Sequence, residues 1–160
     1  MFKLRSVFWD GELLPRKYTI DGEGIAPPLH WEGVPPGTKS FALTMTDSDA
    51  PPQMWPGVFV HWIVYDIPAL PGQEEISQGK TLKNNYADFG MMDKAVGYGP
   101  PWPPDKAHRY VFTLYALKCE YLLINPDANY ATFWKALLPE TIAATTLTGI
   151  YGPAKTPLPG

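Results

Sequence analysis

Hydrophobic and polar positions alternate most regularly over Ser40-Phe41-Ala42-Leu43-Thr44-Met45-Thr46-Asp47. Phe41, Leu43 and Met45 fall on one side of an extended chain, Ala42, Thr44 and Thr46 on the other, and Asp47 ends the strand on the apolar side. His108-Arg109-Tyr110-Val111-Phe112-Thr113-Leu114-Tyr115-Ala116-Leu117 is aromatic and β-branched without glycine or proline, and predicts a buried strand with His108, Tyr110, Phe112 and Leu114 on one face. Val58–Ile67 is apolar on both faces and reads as a central strand, with His61 on the side of Phe59, Ile63 and Tyr65. Shorter extended pieces are expected around Ser6–Leu14, which turns at Asp10-Gly11, and around Ala26–Trp31, an edge strand in which His30 has only a packing role. Residues 69 to 107 show no clear element. The period then changes. Tyr130, Phe133, Trp134 and Leu137 are spaced as one face of a helix, with an N-cap offered at Asp127. Beyond Pro139, Ile142, Thr146 and Ile150 form a second helical stripe. Strands first and helices last predict a mainly β domain over 1–160: an antiparallel β-sandwich of two Greek-key-like sheets with two short C-terminal helices.

Composition narrows the function. Nineteen prolines in 160 residues, scattered between apolar runs, signify stiff turns rather than disorder. The net charge of −3 and the lack of a Lys/Arg cluster argue against nucleic acid as a partner. The single cysteine, Cys119, suits a reducing compartment and reads as a small buried hydrophobe. With no signal-peptide-like start and no long apolar run, a cytoplasmic protein without a transmembrane segment is expected.

The chemistry-bearing residues are Asp47, Asp49, His61, His108 and Tyr110. Singly, each has an ordinary structural use: Asx turns for the acids, a satisfied core histidine, a strand-end histidine, a packed tyrosine. Together, two acids end one apolar strand and two histidines lie on strands expected beside it. An Asp–His pair raises the imidazole's pKa, and acts either as a structural tie or as a donor to an anion. A zwitterion such as phosphoethanolamine fits both charges, its ammonium toward the acids and its phosphate toward the imidazoles and Tyr110. Two histidines and a carboxylate also match a facial metal site, but no local ligand spacing supports one, and no metal or cofactor is expected. Ser48 lacks a nucleophile elbow, and no glycine-rich phosphate loop occurs. Met91-Met92 is apolar in a loop and is read as packing, with an interface or lid as the alternative.

At these residues the chain resembles the phosphatidylethanolamine-binding protein family, in its bacterial and archaeal Raf-kinase-inhibitor-like branch. Tyr18–Glu23 and Pro27–Trp31 look like the family's opening segment, and Asp47-Ser48-Asp49-Ala50-Pro51 resembles its Asp-Pro-Asp-Ala-Pro signature. Val60-His61-Trp62 resembles the His-Trp strand. Tyr98-Gly99-Pro100-Pro101-Trp102-Pro103-Pro104 with His108-Arg109-Tyr110 resembles the Gly-Pro-x-Pro-Pro…His-Arg-Tyr signature, and Gly149-Ile150-Tyr151 the closing Gly-x-Tyr. The resemblance implies a small anion pocket lined by Asp47, Asp49, His61, Pro101, His108 and Tyr110, taking phosphate, phosphoethanolamine-like head groups or related phosphorylated or carboxylated anions. It further implies a non-enzymatic binding protein, an inhibitor or regulator of a kinase or protease, and a homodimer. A metal-assisted or Asp/His acid–base hydrolase is the alternative. Ser48, Pro100 and Trp102 depart from the family pattern and bear on the pocket's rim and size.

Overall fold

The computed structural model describes residues 1–72, 74–76 and 79–153. The proline-rich tail expected beyond Gly152-Pro153 lies outside them from residue 154 on. Eight strands form two sheets: β1 (Lys3–Arg5), β2 (Glu12–Leu13), β3 (His30–Glu32), β4 (Ser40–Asp47), β5 (Phe59–Pro68), β6 (Lys80–Thr81), β7 (His108–Leu117) and β8 (Thr141–Tyr151). β1 and β3 pair as a small antiparallel sheet, and the other six lie in the order β2-β8-β7-β4-β5-β6. Two α-helices, α1 (Met92–Ala95) and α2 (Tyr130–Leu137), and three short 3-10 turns are the other elements among the described residues. The protein is thus mainly β, with two sheets of two and six strands and a few short helices.

The alternation in β4 and β7 decides where each side chain goes. Phe41, Leu43 and Met45 join Tyr110, Phe112 and Leu114 in one core cluster, which Leu4 of β1 and Trp31 of β3 complete from the small sheet. Ala42 of β4 and Tyr115 and Leu117 of β7 face the other way, into a second cluster that Phe133 and Leu137 of α2 cover. Both faces of the large sheet are therefore buried, which is why β5 reads as apolar throughout. It is nevertheless not central: β7 and β4 hold the middle, and beyond β5 lies only the two-residue β6.

Two sequence expectations fail at the C-terminal end. The stripe Ile142, Thr146, Ile150 is not a helix but part of β8, paired antiparallel with β7 along most of its length. A spacing of four fits the helical period, but it is also twice the strand period, and four threonines with two isoleucines in eleven residues favour the pleated chain. Pro139 does start a helical turn, but only a 3-10 turn over Leu138–Glu140. The N-cap of α2 is Asn129 rather than Asp127. The Asn129 side-chain oxygen accepts from the Thr132 amide at 2.9 Å, while the Asp127 amide is engaged by Asn125.

Two β-bulges bend β5, and both matter. Leu43 pairs with Val64 but Phe41 with Ile67, so Tyr65 and Asp66 together oppose Ala42. Asp66 takes a left-handed backbone, φ 55°, where aspartate is tolerated better than most residues. Its Oδ1 accepts from the Leu122 amide at 2.9 Å, and Lys80 lies 3.2 Å from Oδ2. The second bulge falls at His61. Met45 pairs with Trp62 and Thr46 with Val60, so His61 is the inserted residue.

Asp66→Ala removes the partner of the Leu122 amide and sets a Cβ-bearing residue without a local hydrogen bond at positive φ. A loss of about 2–4 kcal/mol is expected from these two effects. Asp66→Asn keeps the acceptor and tolerates the conformation, and should lose about 1 kcal/mol or less. Urea unfolding of the two variants beside the parent chain checks the difference.

Candidate functional site

The site lies at one end of the three adjacent strands β7, β4 and β5. Asp47, the last residue of β4, pairs in register with Tyr110 on one side and Phe59 on the other. It points into the core, as the alternation requires, and is 4% exposed. Burial of a carboxylate demands partners, and both its oxygens have them. Oδ1 accepts from the Asp49 amide at 2.8 Å, and Oδ2 accepts from His108 Nδ1 at 2.7 Å. His108, the first residue of β7, is 1% exposed. Its other nitrogen, Nε2, donates to Asp105 Oδ1 at 2.7 Å. An imidazole flanked by two carboxylates is an imidazolium. Burial pushes its pKa down, but the hydrogen bonds and charges of Asp47 and Asp105 outweigh this and hold it above the ordinary value.

His61 is the opposite case. The bulge separates it from Ile63 and Tyr65, which pack in the second core cluster, and turns it toward Tyr110, ring centroids 5.3 Å apart, and Phe59, 4.8 Å. Sequence alternation alone places it on the wrong face. Its Nδ1 donates to the Gly99 carbonyl at 2.8 Å, and the Gly99 amide donates back to the His61 carbonyl. Complete burial pulls its pKa down to about 4, against the smaller raising effects of Gly99 and Asp47. The ring is therefore neutral at pH 7. With Nδ1 carrying the proton, Nε2 is an acceptor. The two histidines do not form the pair of free cationic donors that the sequence reading envisaged.

These side chains border a cavity of about 330 Å³. Asp47, His61, His108 and Tyr110 lie on its wall, with an apolar majority that includes Trp55, Phe59, Phe89 and Trp102. Tyr110 is fully buried, and its hydroxyl has no protein hydrogen-bond partner among the described residues. Burial raises its pKa well above the phenol range, so it stays protonated as a donor. Two expected residues stand aside from the lining. Asp49 accepts from the Arg109 amide and from two guanidinium nitrogens at 2.8–3.0 Å. That guanidinium holds its carboxyl below the usual value, against a smaller opposing effect of burial. Pro101 serves through its carbonyl, which accepts from the Ile20 amide. Among the described residues there is no cluster of three or more His, Cys, Asp or Glu side chains that could hold a metal ion. No helix in them is long and apolar enough to cross a membrane.

Other lining residues come from the segment that shows no periodicity. Asn84 caps a 3-10 turn over Asn85–Phe89 by accepting from the Tyr86 amide. Tyr86 then reaches the cavity wall and donates to the Pro100 carbonyl at 2.6 Å. Asn85 accepts from the Val60 amide at the His61 bulge, which ties this turn to the strand. Met91 lines the cavity, and Met92 beside it is exposed. Asp105 also went unremarked in the sequence. Its signal is an acid three residues before a histidine in a proline-bounded loop.

A two-sheet β fold whose aromatic-walled cavity carries the Asp47–His108 pair in its wall describes a ligand-binding class of protein. Residues 5–152 match the family model of the phosphatidylethanolamine-binding proteins, and the chain belongs to that family. Its relatives include bacterial and archaeal proteins. The UPF0098 protein of Aquifex aeolicus is 39% identical over 151 residues, 90% of this chain and 84% of the relative. That of Methanothermobacter thermautotrophicus is 36% identical over 152 residues, 90% and 93%. Among solved structures, a phosphatidylethanolamine-binding protein homologue from Chlamydia trachomatis superposes with a TM-score of 0.83 at 33% identity, covering 95% of this chain and 97% of that one. Escherichia coli YbcL, described as a member of the mammalian family, gives 0.78 at 30%, covering 95% and 98%.

The histidines are separable by titration. In a proton-detected NMR series, His108 should lose its proton above pH 6.5, whereas His61 should gain one only near pH 4. Their effects on stability have opposite signs. The His108 tie is complete below its unfolded pKa and is lost as pH rises through the folded value. The His61 contribution is complete above its unfolded pKa of 6.5 and is lost as pH falls toward about 4, a change on the order of 3 kcal/mol. His61→Gln, which cannot titrate, should flatten the parent chain's loss of urea stability between pH 6.5 and 4.

Proposed function

We propose that this protein is a non-enzymatic binding protein whose cavity holds the phosphate head group of a small phosphorylated amine, phosphoethanolamine being the simplest example. The observation that carries this is the buried Tyr110 hydroxyl, which has no protein partner and stands in the same wall as the neutral His61 ring. A buried hydroxyl without a partner costs about 1–3 kcal/mol, and a ligand that supplies an acceptor recovers it. A phosphate monoester carrying one proton matches both groups. Its oxygens accept from Tyr110, and its P–OH donates to His61 Nε2. The acidic floor and the aromatic rings favour an ammonium at the other end of the ligand. His108 is held as a cation at both nitrogens and is not a free base.

A regulatory role on a kinase or protease would use the rim, where Met54, Phe89, Met92 and Trp102 are exposed apolar side chains beside the cavity or next to its lining. Trp102→Ala would then weaken inhibition of such an enzyme more than it weakens head-group binding.

The proton shared between ligand and His61 makes binding pH-dependent. Phosphate monoesters lose their second proton near pH 6. Above that, binding must take up a proton, and affinity for phosphoethanolamine should fall about tenfold per pH unit between 7 and 9. Calorimetric titration over pH 5–9 reads the slope, and a flat profile overturns this mode of recognition. Tyr110→Phe, which keeps the ring and removes the hydroxyl, should weaken binding by about 1–2 kcal/mol, roughly tenfold.

A further inference from the structure

The charges around His108, a residue of the cavity wall, do not cancel. His108 supplies one positive charge against the carboxylates of Asp47 and Asp105, each 2.7 Å from a ring nitrogen. One imidazolium between two carboxylates leaves one negative charge. Asp49 and Arg109 neutralise each other at 2.8 Å. At the rim, Lys94 stands over the Trp102 ring but is paired with Asp93 at 2.8 Å. An anion that needs an N–H from His108 therefore finds both donors taken and a net negative charge around the ring.

It must displace one carboxylate, and the two are held very differently. The Asp47 side chain is 5% exposed. It closes a strand in the middle of the sheet, and its second oxygen holds the Asp49 amide. Removal from His108 would strand a buried charge. The Asp105 side chain is 41% exposed and sits in the loop between Pro104 and β7. Once released, it is solvated by water at little cost.

We infer that Asp105 is an internal counter-ion, filling the Nε2 edge of His108 until a ligand phosphate exchanges with it, and that this exchange selects phosphorylated amines over phosphate esters lacking a positive charge. The inference deepens the proposed function and rests on it. For a ligand with an ammonium the exchange is balanced. His108 Nε2–H passes from Asp105 to a phosphate oxygen, and Asp105 passes from His108 to the ammonium, so each of the two protein groups keeps a charged hydrogen-bond partner. For a bare ester, the phosphate is added beside the Asp47 carboxylate, and Asp105 is left without a counter-charge. Discrimination arises from repulsion of the wrong ligand as much as from attraction of the right one.

The test compares phosphoethanolamine with ethyl phosphate, the same ester without the amine, by calorimetry at pH 7. The parent chain, Asp105→Ala, Asp105→Asn and Asp105→Glu are measured side by side. The parent chain should prefer phosphoethanolamine by about tenfold or more, the scale of one partly buried charge contact. In Asp105→Ala the preference should shrink to about twofold, chiefly because ethyl phosphate binds more tightly. Asp105→Asn, which keeps an acceptor for Nε2–H but no charge, should lose the preference through weaker phosphoethanolamine binding. Asp105→Glu should restore much of it. The His108 Nε2–H proton resonance should shift on phosphate binding in the parent chain and respond less in Asp105→Ala, where the edge is already free. A parent chain that binds both ligands equally, or an unchanged ratio in both Asp105→Ala and Asp105→Asn, overturns the inference and leaves the proposed function intact. Absence of binding of either ligand to the parent chain overturns both.

Discussion

Asp47 is a carboxylate at the end of an apolar strand, and the sheet can bury it only because His108 brings a proton to it. β4 and β7 are the two middle strands of the large sheet, and this contact joins them where their ladder opens. The register sets the geometry: Asp47 lies opposite Tyr110, so His108, two residues earlier on the same face, arrives over the carboxylate. Neither charge is tolerable there alone, and replacing one partner would leave the other buried and uncompensated. The remaining groups follow from it. Asp49, whose amide is held by Asp47, meets Arg109, the residue after His108. Tyr110 then lines the cavity, its buried hydroxyl without a protein partner among the described residues.

The two histidines show how environment divides one residue type between two roles. Both are almost completely buried. His108 meets two carboxylates and is cationic; His61 meets a carbonyl and an aromatic shell and is neutral. The result is a cavity whose wall sets a neutral imidazole and two phenols beside a charged Asp–His pair.

Much of this was legible in the chain. The alternation in β4 and β7, the burial of Asp47 and its meeting with a histidine follow from period and from the cost of an unpaired carboxylate. Of the six residues that the family resemblance implies for the pocket, Asp47, His61, His108 and Tyr110 line the cavity. What the sequence conceals has identifiable physical causes. A bulge inverts the face of His61, and no pattern of apolar residues marks an inserted residue in a strand buried on both sides. β8 is disguised because its spacing of four satisfies two periods at once. Tyr86 and Phe89 lie on a 3-10 turn too short to show periodicity, and only the Asn84 cap marks it. The position of β5 beside an edge is likewise hidden, since α2 and the small sheet bury its faces as fully as those of a middle strand.

The acid and the two histidines of the cavity wall are all carried by the large sheet. Asp47, His61 and His108 come from three neighbouring strands, and the Asp47–His108 contact spans 61 positions of the chain. Unfolding that separates β4 from β7 therefore destroys the cavity, and a molecule seated in it is bound by the folded ensemble alone. Occupancy is then felt as added global stability that grows with the logarithm of ligand concentration. The melting temperature of the whole chain becomes a meter for what the cavity holds, so that a library of small metabolites can be screened by heat alone.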